Sequence, residues 1–335
     1  SSSEGAQKNY KIKLKKNKGS WRGQRTIALN KHMGEGLRFR NKMAYDLIKG
    51  IDQMMGLRTQ FVHLYVKDLT DSASGVFEDY GLYTQVEQLN KTALKAHGVD
   101  PNGQLYKINS FEFYRYEDVI RLTTDPAYDQ TAFEKHLEIK GDSDHSKLIK
   151  MLDVLNDESS SMDDELFVTY FDKENIAYWM AFQLLTGNTD TQNRNVYLYS
   201  PQNSSKWYLW DWDNDGMLRR REREIINFSD SESWERGVSN YWGNVLFRRC
   251  LQTQSYRDLL DTAMKELYAY MNEERIQSMM EHYRSVTEKY VWQMPDRMNV
   301  PITHDEYEEV LKSIWPEIDE NYNYYWESYR KPMPF

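Results

Sequence analysis

The sequence predicts an α+β fold in two lobes, with a strand-rich N-terminal lobe and a mainly helical C-terminal lobe. Three observations support this prediction. Short alternations of apolar and polar residues dominate the first third of the chain, and from residue 166 onward apolar residues recur at the helical spacing. The 335 residues also include 25 Tyr, 10 Trp and 12 Phe, which supply large apolar side chains for a core. A chain of this length can form one large core or two lobes.

The predicted N-terminal lobe, residues 1–108, contains four strands in a mixed or antiparallel sheet and one helix. The strands are rich in β-branched and aromatic residues, and they cover residues 10–14, 60–66, 81–86 and 105–108. The helix is predicted over residues 37–55 because apolar residues recur near a 3.6-residue period, and Gly56 ends it.

The predicted C-terminal lobe, residues 109–335, begins with a weakly patterned stretch. Its acidic, serine-rich tract at residues 156–165 is expected to be a solvated loop. Asp172 is the predicted N-cap of a helix over residues 173–186, which Gly187 ends. A hairpin of two short strands, 196–199 and 206–210, and four helices, 242–253, 256–271, 273–294 and 304–329, complete the predicted elements. The junction of the two lobes is a common place for a ligand cleft.

Charge and composition limit the classes of partner. The net charge of −9 makes nucleic acid an unexpected partner, because phosphate backbones require a basic surface, whereas a basic substrate or a bound metal fits. Cys250 is the single cysteine, so one chain can form neither a disulfide nor a cysteine zinc site, and we expect Cys250 to be a small buried apolar residue. No apolar run of about 18 residues exists, so no transmembrane segment is predicted.

The first of two chemically informative motifs is N-T-D-T-Q-N-R-N, residues 188–195, between a predicted helix and a predicted strand. Asp190 and Asn195 stand five positions apart, which is the spacing of the kinase catalytic loop. In that loop the Asp accepts the proton of the attacking hydroxyl and the Asn binds a magnesium ion. The alternative is a polar turn, since the motif is rich in turn-forming residues.

The second motif is D-W-D-N-D-G, residues 211–216, which directly follows the aromatic strand of the hairpin. An acid that ends a strand at a nucleotide cleft can hold a metal, as the Asp of D-F-G does in kinases, so Asp211 and Asp213 are candidate metal ligands. The motif also matches the calcium-loop pattern D-x-D-x-D-G-x5-E through to Glu222. Context disfavours calcium, because a strand rather than a helix precedes the motif and three arginines follow it.

Two residues of the N-terminal lobe complete the candidate site. Lys13 lies on the first strand and could contact nucleotide phosphates, and Lys11 on the same face could take its role. Glu87 ends a strand where the connection between kinase lobes would begin. The alternatives are a solvated strand lysine and a surface acid.

These motifs together resemble the spore-coat CotH kinase family, an atypical bacterial protein kinase family. Across residues 8–216, the segments that carry the resemblance are, in family order, K-N-Y-K-I-K-L (8–14), L-R-F-R-N-K-M-A-Y-D-L (37–47), F-V-H-L-Y-V (61–66), Y-G-L-Y-T-Q-V-E-Q (80–88), L-Y-K-I (105–108), the N-x-D loop and K-W-Y-L-W-D-W-D (206–213). One departure is Gln192, where many relatives have His.

The resemblance implies a two-lobed, kinase-like fold and transfer of a phosphoryl group from ATP, with Mg²⁺ or Mn²⁺, to Ser or Thr of a protein. By position, Asp190 would be catalytic, Asn195 and Asp211 would hold the metal, Lys13 would contact the phosphates and Glu87 would lie at the adenine side. It implies a basic or Ser/Thr-rich protein substrate and a location outside the cell, at its surface or in the periplasm. The alternatives are a catalytically degenerate recognition module and the calcium module.

Overall fold

The first sheet has four antiparallel strands in the order β1-β2-β4-β3. The computed structural model describes residues 7–70, 75–227 and 236–329. The strands are β1 (Tyr10–Lys13), β2 (Thr26–Asn30), β3 (Thr59–Lys67) and β4 (Phe77–Glu87). The predicted strands of this lobe are therefore present, and β2 is an additional strand that the sequence did not predict.

Helix α1 (Arg40–Ile48) lies between β2 and β3 and is shorter than predicted. Arg38, just before it, adopts a left-handed φ of 65°. The Arg38 guanidinium donates hydrogen bonds to the carbonyl oxygens of Lys31 and His32, each at 2.7 Å, so a tertiary contact fixes a non-helical backbone there. Apolar spacing alone does not carry that information.

The second sheet is also antiparallel, in the order β6-β5-β7-β8, and it belongs to the C-terminal lobe. Its strands are β5 (Gln104–Ile108), β6 (Leu137–Ile139), β7 (Val196–Ser200) and β8 (Tyr208–Asp211). Strand β5 pairs with β6 and β7 and not with the first sheet. The expected lobe boundary at residue 108 therefore moves to the connection between β4 and β5, which contains helix α2 (Lys91–Ala96).

The remaining described helices belong to the C-terminal lobe. They are α3 (Gln130–His136), α4 (Ser146–Asn156), α5 (Lys173–Thr186), α6 (Arg220–Ile225), α7 (Val245–Gln252), α8 (Gln254–Tyr270), α9 (Glu273–Val291) and α10 (His304–Tyr329), with short 3₁₀ helices at Gly237–Tyr241 and Asp296–Asn299. The four predicted C-terminal helices correspond to α7, α8, α9 and α10. Among the described helices, none combines the length and the apolar character needed to cross a membrane.

The acidic tract at residues 156–165 is a solvated loop only in part, over residues 157–161. It contains the end of α4 and the start of a π-helix, Met162–Tyr170. The Ser161 hydroxyl accepts a hydrogen bond from the Asp164 amide and caps this π-helix. Met162 is buried while Asp163 and Asp164 face solvent, so the acids occupy the outer face of an ordered element.

Helix α5 is the central element of the core and positions the first motif. Every side chain from Asn175 to Thr186 is buried, and the helix packs against α8, α10 and β8. Its predicted ends are confirmed: the Asp172 carboxylate accepts from the Asn175 amide at 2.8 Å, and Gly187 adopts a left-handed φ of 59°. The motif that follows α5 leads into β7, and β7 pairs with β8, so the two motifs lie side by side.

Candidate active site

The first motif forms a loop in which Asn195 binds Asp190. The Asn195 Nδ2 donates to the Asp190 carboxylate at 3.0 Å and to its carbonyl oxygen at 3.1 Å. The Asp190 carboxylate is 55% exposed, and Arg194 Nε lies 3.6 Å from it. Burial raises the pKa of Asp190 above its ordinary value, although Arg194 opposes this effect. Asp190 is thus an accessible carboxylate with a fixed orientation.

In the second motif, Asp213 and Asp215 are the acids that interact electrostatically with Asp190. Asp213 adopts a left-handed φ of 59°. Burial and the neighbouring Asp215 raise the pKa of Asp213; His32 and Lys107 lower it, and Asp190 raises it further. His32 Nδ1 lies 3.7 Å from Asp215 Oδ2. Two acids of the second motif therefore share a region with the carboxylate of the first.

Asp211 has a different environment from the one expected of a metal ligand. It is 1% exposed, and its two oxygens accept hydrogen bonds from Gln183 Nε2, at 2.7 Å, and from Asn214 Nδ2. Asn188 Nδ2 donates to both Gln183 Oε1 and Asn214 Oδ1. Burial raises the pKa of Asp211 to about 6. Asp211 therefore belongs to a buried amide network that joins the two motifs, and a metal-binding role for it does not fit this geometry.

The calcium-loop alternative also conflicts with the structure. Its final ligand would be Glu222, which is fully buried in α6. The Glu222 carboxylate is 2.5 Å from Arg40 Nη1, 3.0 Å from the Gly36 amide and 3.1 Å from Arg219 Nη2. Because Glu222 is neutralised by arginine and Asp211 faces the core, the residues of the pattern do not surround one ion.

A cleft of about 460 Å³ lies between the two sheets. Residues of β1, of the segments before β2 and after β4 and of the second sheet line it, and its basic side chains are Lys11, Lys13, Arg25, Lys91 and Lys140. Lys13, the predicted phosphate contact, thus lies in an interlobe cleft with Lys11 beside it. Positive charge on several walls suits a ligand with several negative charges.

One aromatic contact connects the wall of the cleft to the second motif. Tyr197 of β7 lines the cleft, and its ring meets the Trp212 ring edge-on, with centroids 5.4 Å apart. Lys107 Nζ lies 5.6 Å from the centre of the Trp212 ring. Since Trp212 directly precedes Asp213, the segment that carries this acid packs behind the cleft wall.

Glu87 is adjacent to this cleft but its carboxylate is already engaged. It is 1% exposed and accepts from Arg58 Nε at 2.9 Å, and His97 Nε2 lies 2.7 Å from its other oxygen. Burial would raise the pKa of Glu87, but His97 and Arg58 outweigh it and lower the pKa to about 2. The residues that follow, 88–92, line the cleft instead. An adenine contact by Glu87 stays a prediction.

Side chains outside the motif hold the catalytic loop. The Thr191 hydroxyl is 2.8 Å from Tyr241 Oη, and Asn240 Nδ2 and Asn244 Nδ2 donate to the carbonyl oxygens of Thr189 and Gln192. Sequence reasoning did not identify these residues, because they lie about 50 positions away in a segment without a motif. Gln192 Oε1 is buried without a hydrogen-bond partner among the described residues.

The site suits a hard divalent cation. Carboxylate and amide oxygens are the ligands that Mg²⁺ and Mn²⁺ prefer. Within the described residues, no hydrogen bond or ion pair ends on the Asp213 carboxylate, although burial raises its pKa. Asn195 uses its Nδ2 on Asp190, which leaves its Oδ1 as a ligand atom. Asp213 and Asn195 therefore each keep an oxygen that could bind a cation.

Comparison with known proteins gives one family. The model of the family described as CotH kinase protein matches residues 1–325, nearly the whole chain. A search of curated proteins finds no match. The match agrees with the two-lobed α+β architecture and with the resemblance of the motifs. The chain belongs to the CotH kinase family.

Proposed function

We propose that this protein is an ATP-dependent protein kinase that phosphorylates Ser or Thr of a protein substrate with Mg²⁺ or Mn²⁺. The observation that supports the proposal is that Asn195 binds Asp190, that acids of the second motif interact electrostatically with Asp190, and that a basic interlobe cleft lies nearby. This combination supplies a nucleotide site, a cation site and a carboxylate that solvent can reach.

Asp190 orients the acceptor hydroxyl and takes its proton. Its carboxylate is accessible, and the hydrogen bond from Asn195 fixes its direction. Positioning of this kind supplies much of the rate in phosphoryl transfer, because little covalent chemistry is required of the protein. Arg194, half exposed and next to Asp190, adds positive charge where the transferred group passes.

Asp213 and the Asn195 oxygen would hold the cation, which neutralises charge on the nucleotide phosphates when bound. Lys13 and Lys11 would contact those phosphates from the N-terminal lobe. Asp211 acts through the buried amide network and not as a ligand. A basic or Ser/Thr-rich substrate and a location outside the cytoplasm stay predictions from the resemblance.

Transfer of radiolabelled γ-phosphate to a lysine-containing, Ser/Thr-rich peptide tests the proposal. We expect Asp190→Asn and Asp213→Asn each to abolish transfer, and the matched control Asp118→Asn, at a fully exposed acid, to retain it. Full activity in either site variant would remove that residue from the mechanism. If the wild-type protein binds nucleotide but transfers phosphate to no protein or peptide, the degenerate recognition module is favoured.

A further inference from the structure

Helix α1 contacts the backbone of the loop that carries Asp213. The Asp213 amide donates to Tyr45 Oη at 3.0 Å, and the next amide, of Asn214, donates to Asn41 Oδ1 at 3.1 Å. We propose that Tyr45 and Asn41 are positioning residues that hold Asp213 in its cation-binding geometry. This inference rests on the proposed function.

The loop has an uncommon backbone conformation. Asp213 has a φ of 59°, in the left-handed region, which Asp adopts more readily than most residues with a Cβ atom but still less often than the right-handed one. An uncommon backbone conformation persists only where the surroundings hold it. Tyr45 and Asn41 are 0% and 1% exposed, so water cannot easily replace either acceptor.

Helix α1 holds the far end of the same loop as well. Arg40 Nε donates to the carbonyl oxygen of Leu218 at 3.0 Å, and Leu218 also has a left-handed φ, of 51°. The Arg40 guanidinium then pairs with Glu222 in α6. Three side chains of α1 therefore bind the backbone of the loop on both sides of Asp215, so the position of α1 constrains the backbone that carries the Asp213 carboxylate.

The contacts of α1 are selective for one half of the site. Asp190 takes its hydrogen bond from Asn195 in its own loop, and the catalytic loop is held by Tyr241, Asn240 and Asn244. Loss of the Tyr45 hydroxyl should therefore weaken cation binding and leave the handling of the acceptor hydroxyl intact. A purely structural role for Tyr45 would instead lower stability and every kinetic constant together.

Mn²⁺ titration of the protein, followed by the electron paramagnetic resonance signal of free Mn²⁺, tests the proposal. We expect Tyr45→Phe to bind Mn²⁺ about ten-fold more weakly, because the loop without its acceptor relaxes when no ion is bound and must return to its present conformation to bind one, at a cost of about one hydrogen bond. The control Tyr199→Phe removes a comparable buried hydroxyl, which donates to the Asp100 carbonyl oxygen at 2.8 Å, and should bind Mn²⁺ like the wild type.

Kinetics provide the second readout. In Tyr45→Phe the Mn²⁺ concentration for half-maximal transfer should rise about ten-fold, with the KM for the acceptor peptide unchanged and the rate recovered at high Mn²⁺. Wild-type Mn²⁺ affinity in Tyr45→Phe would overturn the proposal, and Asn41→Ala serves for the same titration if Tyr45→Phe fails to fold. The proposed cation site itself is rejected if the wild type does not bind Mn²⁺, or if Asp213→Asn binds Mn²⁺ as tightly as the wild type. The role proposed for α1 is then rejected as well.

Discussion

The buried contact between Arg40 and Glu222 joins helix α1 to helix α6, and we predict that Glu222→Gln destabilises the protein substantially. Both side chains are fully buried, and Arg40 Nη1 lies 2.5 Å from Glu222 Oε2. The variant keeps an oxygen for the Gly36 amide but places an amide group against the guanidinium. Burial raises the pKa of Glu222, but Arg40 and Arg219 outweigh it, so the pKa lies below its ordinary value and the group is ionised near neutral pH.

The expected loss of unfolding free energy follows from the charges that remain. Removing one partner of a buried ion pair typically costs about 3–5 kcal/mol, because the other charge stays buried. Arg40 keeps Glu35 at 3.3 Å, which places the cost near the lower end, at about 3 kcal/mol. That is a large fraction of the roughly 5–15 kcal/mol by which proteins are stable, and it should lower the Tm by roughly 5 °C.

Thermal unfolding with and without Ca²⁺ measures this effect. The control Glu309→Gln makes the same change in α10, where Glu309 forms a half-exposed ion pair with Arg221 of α6. It should lower the unfolding free energy by less than about 1 kcal/mol. Equal Tm values for the two variants would refute the argument from buried charge. Stabilisation of the wild type by Ca²⁺ that is lost in Glu222→Gln would instead restore the calcium-loop interpretation.

Three further predictions concern Glu87, Cys250 and Lys13. Because the pKa of Glu87 is lowered to about 2, its ionised carboxylate stabilises the folded state above about pH 4.5, and this stabilisation is lost as the pH falls toward about 2. The Tm difference between wild type and Glu87→Gln should therefore shrink over that range. A constant difference would contradict the ion-pair account. Burial raises the pKa of the Cys250 thiol, so Ellman's reagent should react with it only after denaturation, and rapid labelling of the native protein would show that the site is open. Lys13→Ala should raise the KM for ATP roughly five-fold with kcat unchanged. The control Lys16→Ala, at an exposed lysine, should change neither KM nor kcat. An equal rise in KM in both variants would argue for general attraction between positive charge and ATP.

Elements with strong local signals could be predicted from the sequence. Helix α5 has a capping Asp172 before it and Gly187 after it, and both ends were predicted correctly because capping is a local interaction. The length of α1 was predicted incorrectly because the hydrogen bonds of the Arg38 guanidinium hold the segment before it in a non-helical conformation. The π-helix, Met162–Tyr170, was not predicted because acidic, serine-rich composition does not distinguish an ordered element with exposed acids from a loop. The lobe to which β5 belongs was also wrong, because strand pairing depends on residues about 90 positions away.

In the candidate site, too, the sequence predicts local features and misses those that depend on distant contacts. Spacing identified Asp190 and Asn195, which the structure joins by a hydrogen bond. Spacing could not decide between Asp211 and Asp213, because in a strand that ends in a turn the side chains no longer alternate regularly. The amide network engages both oxygens of Asp211, whereas Asp213, on a left-handed residue, is not among its described members. Nothing local in the sequence marks Tyr45 as a partner of this loop.

Anomalous diffraction from crystals that contain Mn²⁺ and a non-transferable ATP analogue would test the central claim most directly. We predict a manganese peak within coordination distance of the Asn195 side-chain oxygen and the Asp213 carboxylate, with the analogue's phosphates in the cleft that Lys13 lines. A peak on Asp211, or a bound analogue with no cation near Asp213, would contradict the account.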